Sequence, residues 1–313
     1  MTPRTIYHVG AFGRKNLGDE AIRIAMHDMF NELAPEYGLD LHWNVIDCQA
    51  TVFTPEVIED VNRNADMLLI GGGGLLWDKP ELKSPSGWQF QIETEHIDLI
   101  EVPIVCYALG WNVFPYNDSL NPMRAFPLLA KAELVSFRNP ESAGRAASYP
   151  GVNEGAGKGN LVLLMPETDE RRVWYIIPDP ALFLRADPRK SLAGPRVCLA
   201  HDKLHMRYEQ ARDVIPPTAW PGTLVAHLAS EDAGVHHDQA VRLTAAEYRD
   251  TPYVASNRKH GIIIPHGQGT PTYPLPGGVD ELYWIWDYLH SKSLAEHRAD
   301  ADAFNRKVLE VVA

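Results

Sequence analysis

The chain has 313 residues, 45% of them hydrophobic and 22% charged, which is the composition of an ordinary globular protein. Its length exceeds what one compact core usually serves, so we expect two domains. The formal net charge of −12 argues against nucleic acid or an anionic membrane surface as a partner, because both would repel the chain at long range.

The cysteines and the apolar runs indicate the compartment. Cys48, Cys106 and Cys198 are far apart in apolar stretches and form no C-x-x-C pair, so we expect buried thiols in a reducing environment. The first residues contain no apolar run of signal-peptide length. No stretch approaches the roughly 20 apolar residues of a membrane span. We therefore expect a cytoplasmic protein.

The first 180 residues alternate short apolar runs with helical patterns, which predicts βαβ units around a parallel sheet. A helix is predicted to open at Asp19, and Thr54-Pro55-Glu56 and Asn139-Pro140-Glu141 are typical helix starts. Residues 150–162 are predicted to form a surface loop. The predicted strands are Thr5 to Val9, Leu41 to Ile46, Met67 to Ile70, Ile104 to Leu109, Leu134 to Phe137 and Val173 to Ile177.

A polar stretch with two prolines, residues 185–195, is the predicted linker. After it, Arg196 to Ala200, Leu224 to His227 and Tyr253 to Ser256 are predicted strands of a second, smaller sheet. Lys292 to Val312 is predicted to form one amphipathic helix. The predicted domains are therefore residues 1–185, residues 195–290 and a C-terminal helix over 291–313.

Two glycine-rich loops follow predicted strands, where ligands bind in open α/β sheets. In Gly10 to Asp19 the glycines permit close backbone approach, and a helix N-terminus there would favour anions. Asp19 acting only as a helix cap is an equally good interpretation. In Gly71 to Gly74, either a ligand or another chain segment lies against the backbone. Neither loop is a Walker A or G-x-G-x-x-G motif.

Two cationic segments also follow predicted strands. Arg138, in Ser136-Phe137-Arg138, suits bidentate binding of a phosphate or carboxylate, and a surface ion pair is the alternative. Ser256 to Gly261 places Arg258 and Lys259 beside the imidazole of His260. This segment predicts an anion site with an acid or base, and a solvated turn is the alternative.

The histidines do not indicate a metal site. His201 and His205 are four residues apart, and His236-His237-Asp238 are adjacent, but neither group has a third ligand at recognisable spacing. Gly157-Lys158-Gly159 lacks Walker spacing, and no G-x-S-x-G motif is present. We expect no metal and no cofactor.

Six segments in order resemble motifs of the polysaccharide pyruvyl transferase family. They span about 250 residues, so the ordered set is more specific than any single match. The segments are Asn16-Leu17-Gly18-Asp19-Glu20-Ala21, Leu68 to Leu76, Ala108-Leu109-Gly110-Trp111, Val135 to Arg138 with Ser142, Pro178-Asp179-Pro180-Ala181, and Ser256-Asn257-Arg258-Lys259-His260-Gly261.

The resemblance implies a GT-B-like α/β fold, with two Rossmann-like lobes facing a cleft and the C-terminal helix crossing back to the first lobe. It also implies transfer of the enolpyruvyl group of phosphoenolpyruvate onto a sugar-containing acceptor as a cyclic ketal, with release of phosphate.

Roles for individual residues follow from that resemblance. Arg138 and Arg258 would hold the donor, His260 would protonate its methylene carbon, and Asp19, across the cleft, would accept the proton of the sugar hydroxyl. The remaining motif residues expected to bind substrate are Asn16, Gly72, Gly73, Gly110, Ser136 and Ser256.

The chain also departs from the family pattern. Residues 195–290 make a short second lobe, and Thr270 to Gly278 is Pro/Gly-rich where the family often has a lysine. The acceptor and the oligomeric state stay open. The alternatives are a GT-B glycosyltransferase with a nucleotide-sugar donor, for which Glu231-Asp232 would hold the ribose, and a non-catalytic ligand-binding relative.

Overall fold

The structure is a computed structural model. It describes residues 1–13, 16–77, 86, 88–112, 122–147, 153–156, 161–164, 171–188, 196–198, 223–224, 238–275 and 281–313. These residues form two compact units. Unit 1 comprises Met1–Phe12, His27–Pro178 and Ala295–Ala313, and unit 2 comprises Gly13–Met26 and Asp179–Leu294.

Unit 1 is built on one sheet with the strand order β2-β1-β3-β4-β5-β8-β7-β6. Neighbours from β2 to β8 pair in parallel, and β7 and β6 add an antiparallel edge. The predicted α/β class with a parallel sheet is confirmed. The strands are β1 (Thr2–Gly10), β2 (Leu39–Asp47), β3 (Met67–Leu76), β4 (Ile104–Trp111), β5 (Leu134–Phe137), β6 (Asn153–Ala156), β7 (Leu161–Leu164) and β8 (Arg171–Ile176).

The predicted helix starts in this unit are confirmed. The side chain of Thr54 accepts from the backbone N–H of Val57, and the side chain of Asn139 accepts from that of Ser142 at 2.7 Å. The helices are α1 (Leu17–Leu33, from His27 onward in this unit), α2 (Pro55–Asn64), α3 (Pro122–Lys131) and α4 (Pro140–Ala147), with 3-10 helices Ala34–Tyr37 and Thr94–Leu99.

The prediction of a surface loop over 150–162 is wrong, because β6 and the start of β7 lie there. The apolar run Leu161–Leu164 pairs antiparallel with β8, which extends the sheet beyond its parallel part. The glycine run is also not a simple turn, since Gly71–Gly74 lie inside β3, where pairing with β4 shifts register after Gly73. A bulged strand rather than a reversal therefore explains the four glycines.

The strand order defines where a ligand would approach unit 1. From β1 the chain passes to β2 on one side and then to β3 on the other. Open parallel sheets bind ligands outside the carboxyl ends of their strands at such a reversal of order. In this unit that crevice lies at the end of β1 and at the glycine run of β3.

Unit 2 has a smaller parallel sheet with the order β10-β9-β11-β12, and its reversal of order falls between β9 and β11. Its described elements are a 3-10 helix (Pro180–Phe183), β9 (Arg196–Cys198), β10 (Thr223–Leu224), α5 (Asp238–Arg249), β11 (Val254–Ser256), α6 (His260–Gly267), β12 (Thr272–Pro274) and α7 (Glu281–His290). Strand β12 falls in the Pro/Gly-rich stretch and was not predicted.

The core of unit 2 includes two segments that were predicted to belong to the first domain. Leu17, Ala21 and Ile22 of α1 are fully buried there, as are Ala181 and Leu182 of the 3-10 helix. The chain accordingly enters unit 2 at Asp179, before the linker predicted at 185–195. Residues 189–195 of that linker lie outside the described ranges.

The last helix, α8 (Leu294–Val312), belongs to unit 1 from Ala295 onward. The buried hydroxyl of Tyr107 donates to Oδ1 of Asn305 at 2.7 Å, and the ring of Phe304 packs on Tyr107. Cys48 and Cys106 are buried free thiols, and burial raises the pKa of Cys106 to about 12. Among the described helices, none combines the length and apolarity needed to cross a membrane.

Candidate active site

The segment Ser256 to Gly261 of unit 2 follows β11 at the reversal of strand order. The hydroxyl of Ser256 accepts from the backbone N–H of Arg258 at 3.0 Å, which closes the turn, and α6 begins at His260. The predicted cationic turn thus joins a strand to a helix N-terminus, where backbone N–H groups attract anions. Ser256 shapes this turn through its backbone contact.

His260 faces a buried carboxylate. Its Nε2 lies 3.6 Å from Oδ2 of Asp179, whose side chain is only 3% exposed. Oδ1 of Asp179 accepts from the backbone N–H of Ala181 at 3.1 Å, so the carboxylate is held at the start of the 3-10 helix. The 3.6 Å separation brings the carboxylate close to the ring but is too long for a hydrogen bond. Within the described structure Nε2 of His260 is buried and has no hydrogen-bond partner, so its hydrogen-bonding capacity is unused.

The opposite edge of the imidazole lies against Gly18 of α1. A Cβ added to Gly18 would lie 2.0 Å from Nδ1 and 2.3 Å from Cγ of His260. Only glycine lets the ring reach this backbone. Within the predicted glycine-rich loop, Gly18 thus has a specific partner that the sequence did not identify.

The first turn of α1 differs from its prediction. The helix begins at Leu17 rather than Asp19, and Oδ1 of Asn16 accepts from the backbone N–H of Gly18 at 3.1 Å. Asn16 therefore does the capping that had been considered for Asp19. Asp19 was expected across a cleft from His260, but both belong to unit 2, and Asp19 directly follows the glycine on which His260 packs.

Asn257 adds a further polar group to the turn. It is 5% exposed, and within the described structure neither its Oδ1 nor its Nδ2 has a hydrogen-bond partner. Buried carboxamides are normally satisfied, because an unmet hydrogen bond costs about 1–3 kcal/mol. The Ser256 to Gly261 segment thus carries unused hydrogen-bonding capacity beside the His260–Asp179 pair.

Unit 1 contains the other predicted anion-binding residue, Arg138, directly after β5. Its backbone N–H donates to Leu109 at 3.1 Å, and the residue is only 2% exposed. A Cβ on Gly110 would lie 2.1 Å from Nε of Arg138, so Gly110 leaves the space that the guanidinium occupies. Arg138 and Gly110, predicted from separate motifs, are therefore in contact.

Ser136 supports the backbone beside Arg138. Its hydroxyl accepts from the N–H of Ala108 at 2.9 Å and donates to the carbonyl of Cys106 at 3.3 Å. Ala108 has φ +44°, a conformation that residues with a Cβ adopt only under constraint. The hydroxyl expected to bind substrate is thus committed to holding this bend in β4.

The glycine run of β3 packs tightly. Gly72 and Gly73 have φ +77° and +100°, and a Cβ on Gly71 would lie 2.0 Å from the carbonyl oxygen of Tyr107. The buried imidazole of His8 contacts the Gly71 carbonyl through Nε2 at 3.1 Å. Another chain segment therefore lies against Gly71, as one of the two predicted explanations required.

Among the described residues, no group of three His, Cys, Asp or Glu side chains could hold a metal ion. The predicted histidine groups at 201–205 and 236–237, the Gly157 to Gly159 stretch and Glu231-Asp232 lie outside the described ranges. Asp179 and Asn257 stand in two of the six segments that resemble family motifs, but the sequence analysis predicted no role for either residue.

No protein-family model and no curated protein matches the chain. Three solved structures align over most of it. A protein of Klebsiella pneumoniae subsp. pneumoniae described as uncharacterized is 13% identical, with 92% of this chain and 88% of that chain covered and a TM-score of 0.49. The S. aureus MnaA-UDP co-structure is 12% identical, with 92% and 87% covered and a TM-score of 0.48.

The third structure is a putative UDP-N-acetylglucosamine 2-epimerase from Listeria monocytogenes. It is 10% identical, with 97% of this chain and 91% of that chain covered and a TM-score of 0.48. Two of these three structures are named for UDP or a UDP-sugar, and none is named for pyruvyl transfer.

Proposed function

We propose that the chain is a group-transfer enzyme that moves the enolpyruvyl group of phosphoenolpyruvate onto a sugar and forms a ketal. One observation carries the proposal. His260 lies between the buried carboxylate of Asp179 and the bare backbone of Gly18, in a turn that also holds Arg258 and Lys259. An oriented imidazole beside cationic groups suits acid catalysis on an anionic donor.

The proposed reaction begins with proton transfer from His260 to the methylene carbon C3 of phosphoenolpyruvate. A C–H bond forms, and C2 becomes electrophilic. A sugar hydroxyl adds to C2 and gives its proton to a base, for which Asp19 is our candidate. The C2–O bond to phosphate then breaks, and the phosphate leaves with the proton that the base accepted. A second hydroxyl adds to C2 and closes the ketal, and its proton returns to His260.

The donor's charges account for the arginines. Phosphoenolpyruvate carries a phosphate and a carboxylate, and a guanidinium matches either group with two parallel hydrogen bonds. Arg138 in unit 1 and Arg258 in unit 2 are each a candidate for binding an anionic group of this kind. No redox cofactor enters the reaction, because neither proton transfer nor ketal formation requires an external oxidant or reductant.

A nucleotide-sugar transferase is the second candidate. Each unit has a parallel sheet with a reversal of strand order, which is where nucleotides commonly bind in α/β proteins. In that case the Ser256 to Gly261 turn would bind a diphosphate. The two candidates differ in their donor and in their product, since only pyruvyl transfer releases inorganic phosphate from phosphoenolpyruvate.

Phosphate release from phosphoenolpyruvate, measured with a panel of methyl glycosides as acceptors, tests the proposal. General acid catalysis contributes about 10²–10⁴-fold to a rate, so His260→Ala should lower kcat by that factor. Asp179→Asn should also lower kcat, because it removes the negative charge that lies 3.6 Å from Nε2 and favours the protonated imidazole, while its amide oxygen can still accept from Ala181.

His42→Ala is the matched control, since His42 is an exposed histidine of β2. It should leave kcat unchanged. Full turnover in the His260→Ala variant would contradict the acid assignment. Absence of sugar-dependent phosphate release, together with transfer from a nucleotide sugar, would favour the second candidate.

A further inference from the structure

A chain of hydrogen-bonded carboxamides in unit 1 ends on Arg138. The amide of Gln49 donates to Oε1 of Gln89, whose own amide donates to the carbonyl of Gly74 at 2.8 Å. Nδ2 of Asn112 donates to the same carbonyl at 2.7 Å. Nη2 of Arg138 then donates to Oδ1 of Asn112 at 3.4 Å.

All of these groups except Gln89 come from the carboxyl ends of four strands. Gln49 follows β2, Gly74 lies in β3, and Asn112 and Arg138 directly follow β4 and β5. That edge of a parallel sheet is the one at which ligands bind. The hydrogen-bonded chain therefore crosses the ligand-binding edge of unit 1.

The network fixes the orientation of Asn112. The Gly74 carbonyl accepts two hydrogen bonds and so uses both lone pairs. A flipped Asn112 amide would set its oxygen against that carbonyl and its NH₂ against the guanidinium. Both contacts would become repulsive, so Oδ1 must face Arg138.

Two glycines make room for this arrangement. A Cβ on Gly74 would lie 2.2 Å from Nδ2 of Asn112, and one on Gly110 would lie 2.1 Å from Nε of Arg138. Gly74, the last glycine of the β3 run, and Gly110 of β4 therefore have the same structural role. Each opens space for a member of the hydrogen-bonded chain.

We propose that Asn112 is a positioning residue that anchors the guanidinium of Arg138 to the glycine run and so sets the affinity of unit 1 for a phosphate-bearing ligand. The identity of that ligand as phosphoenolpyruvate rests on the proposed function, whereas the coupling of Asn112 to Arg138 does not. A neutral oxygen orients the guanidinium without cancelling its charge, which is why an amide rather than a carboxylate suits this position.

Two variants separate this role from simple packing. Asn112→Ala leaves the charge of Arg138 intact but removes the contact between Oδ1 of Asn112 and Nη2, which should raise the Kd for phosphoenolpyruvate about tenfold. Asn112→Asp keeps the shape but pairs a carboxylate with Arg138 and repels the ligand, so its Kd should rise further than that of the alanine variant. If Asn112 only filled space, the isosteric aspartate would be the milder change.

Asn31→Asp is the matched control, because it adds the same charge in unit 1 and its Oδ1 acts as an acceptor from Trp43, which a carboxylate preserves. It should leave Kd within twofold. Calorimetric titration with phosphoenolpyruvate and with inorganic phosphate measures these constants, and the thermal midpoint of each variant shows that it is folded. An aspartate variant that binds within twofold of wild type, or tighter than the alanine variant, would overturn the proposal.

A second readout needs no ligand. The Nε–Hε NMR signal of Arg138, assigned by its loss in Arg138→Lys, should exchange with solvent faster in Asn112→Ala than in wild type. Unchanged exchange would also overturn the proposal. A wild-type chain that binds no phosphoenolpyruvate but shows this exchange effect would contradict the proposed function and leave the coupling standing.

Discussion

The absence of a side chain at Gly18 makes room for His260 in the candidate site. His260 packs onto its backbone so closely that any Cβ would overlap the ring. The imidazole is therefore held between Asp179 on one edge and the first turn of α1 on the other. At the scale of single residues, the catalytic role proposed for His260 would depend on both neighbours.

Gly18→Ala should consequently destabilise unit 2, although alanine is the better helix former. Displacing a packed ring costs about 1–3 kcal/mol. The gain in helix propensity is about 1 kcal/mol, so the overlap should win. Chemical denaturation measures this loss, and phosphate release from phosphoenolpyruvate should fall with it.

Gly144→Ala in α4 is the matched control. A Cβ there meets no atom within 4 Å, so the substitution should stabilise the chain by about 0.5–1 kcal/mol. If Gly18→Ala behaves like Gly144→Ala, His260 does not lie against α1 as described.

Sequence patterns could identify His260, Arg138, Gly18 and Gly110 because these residues stand in short motifs after strands. They could not show that Gly18 serves His260 or that Gly110 serves Arg138, since each pair is brought together only by folding. Asn112 and Gln89 carried no signal, because an isolated carboxamide fits many positions. The sequence also could not show that Asp19 and His260 belong to the same unit, since folding alone brings these distant segments together.

At the scale of elements, the end of β4 is held in an uncommon conformation. Ala108 has a positive φ, and its buried N–H donates to the hydroxyl of Ser136 on β5. Pairing of β4 with β5 shifts register between Cys106 and Leu109. Gly110 and Asn112 follow this bend and contact Arg138. Ser136 therefore supports these contacts through its hydrogen bond to Ala108.

Ser136→Ala should remove this support. It leaves the buried Ala108 N–H without its partner, which costs about 1–3 kcal/mol of the free energy of unfolding. Urea denaturation of the variant measures the loss. Ser291→Ala, which deletes an exposed hydroxyl bonded to Tyr288, should change stability by less than about 0.5 kcal/mol. Equal effects of the two substitutions would argue against a constrained β4.

The elements also show which patterns are informative. Apolar runs ahead of polar turns predicted β3, β4 and β5 correctly, because buried parallel strands are uniformly apolar. The glycine run was expected to form a turn, yet it continues β3 as a bulge, since glycine is common in both. Strand β12 contains proline and tyrosine at its edge position and lacks the apolar run that would have predicted it.

At the scale of the whole molecule, two parallel sheets each present a reversal of strand order. Composition and alternation predicted both sheets. The bounds of the units were harder to predict, because α1 and the 3-10 helix contribute buried side chains to unit 2 while lying in sequence beside unit 1. Tertiary burial decides such membership, and a single sequence does not display it.

Phosphoenolpyruvate is the proposed donor. A thermal-shift comparison of phosphoenolpyruvate with UDP- and GDP-sugars tests it most directly. A ligand at about 100 times its Kd stabilises the folded state by about 2.7 kcal/mol, which corresponds to roughly 4 °C for a chain of this size. We predict such a shift with phosphoenolpyruvate and none with the nucleotide sugars. A shift with a nucleotide sugar alone, or none with millimolar phosphoenolpyruvate, would contradict phosphoenolpyruvate as the donor.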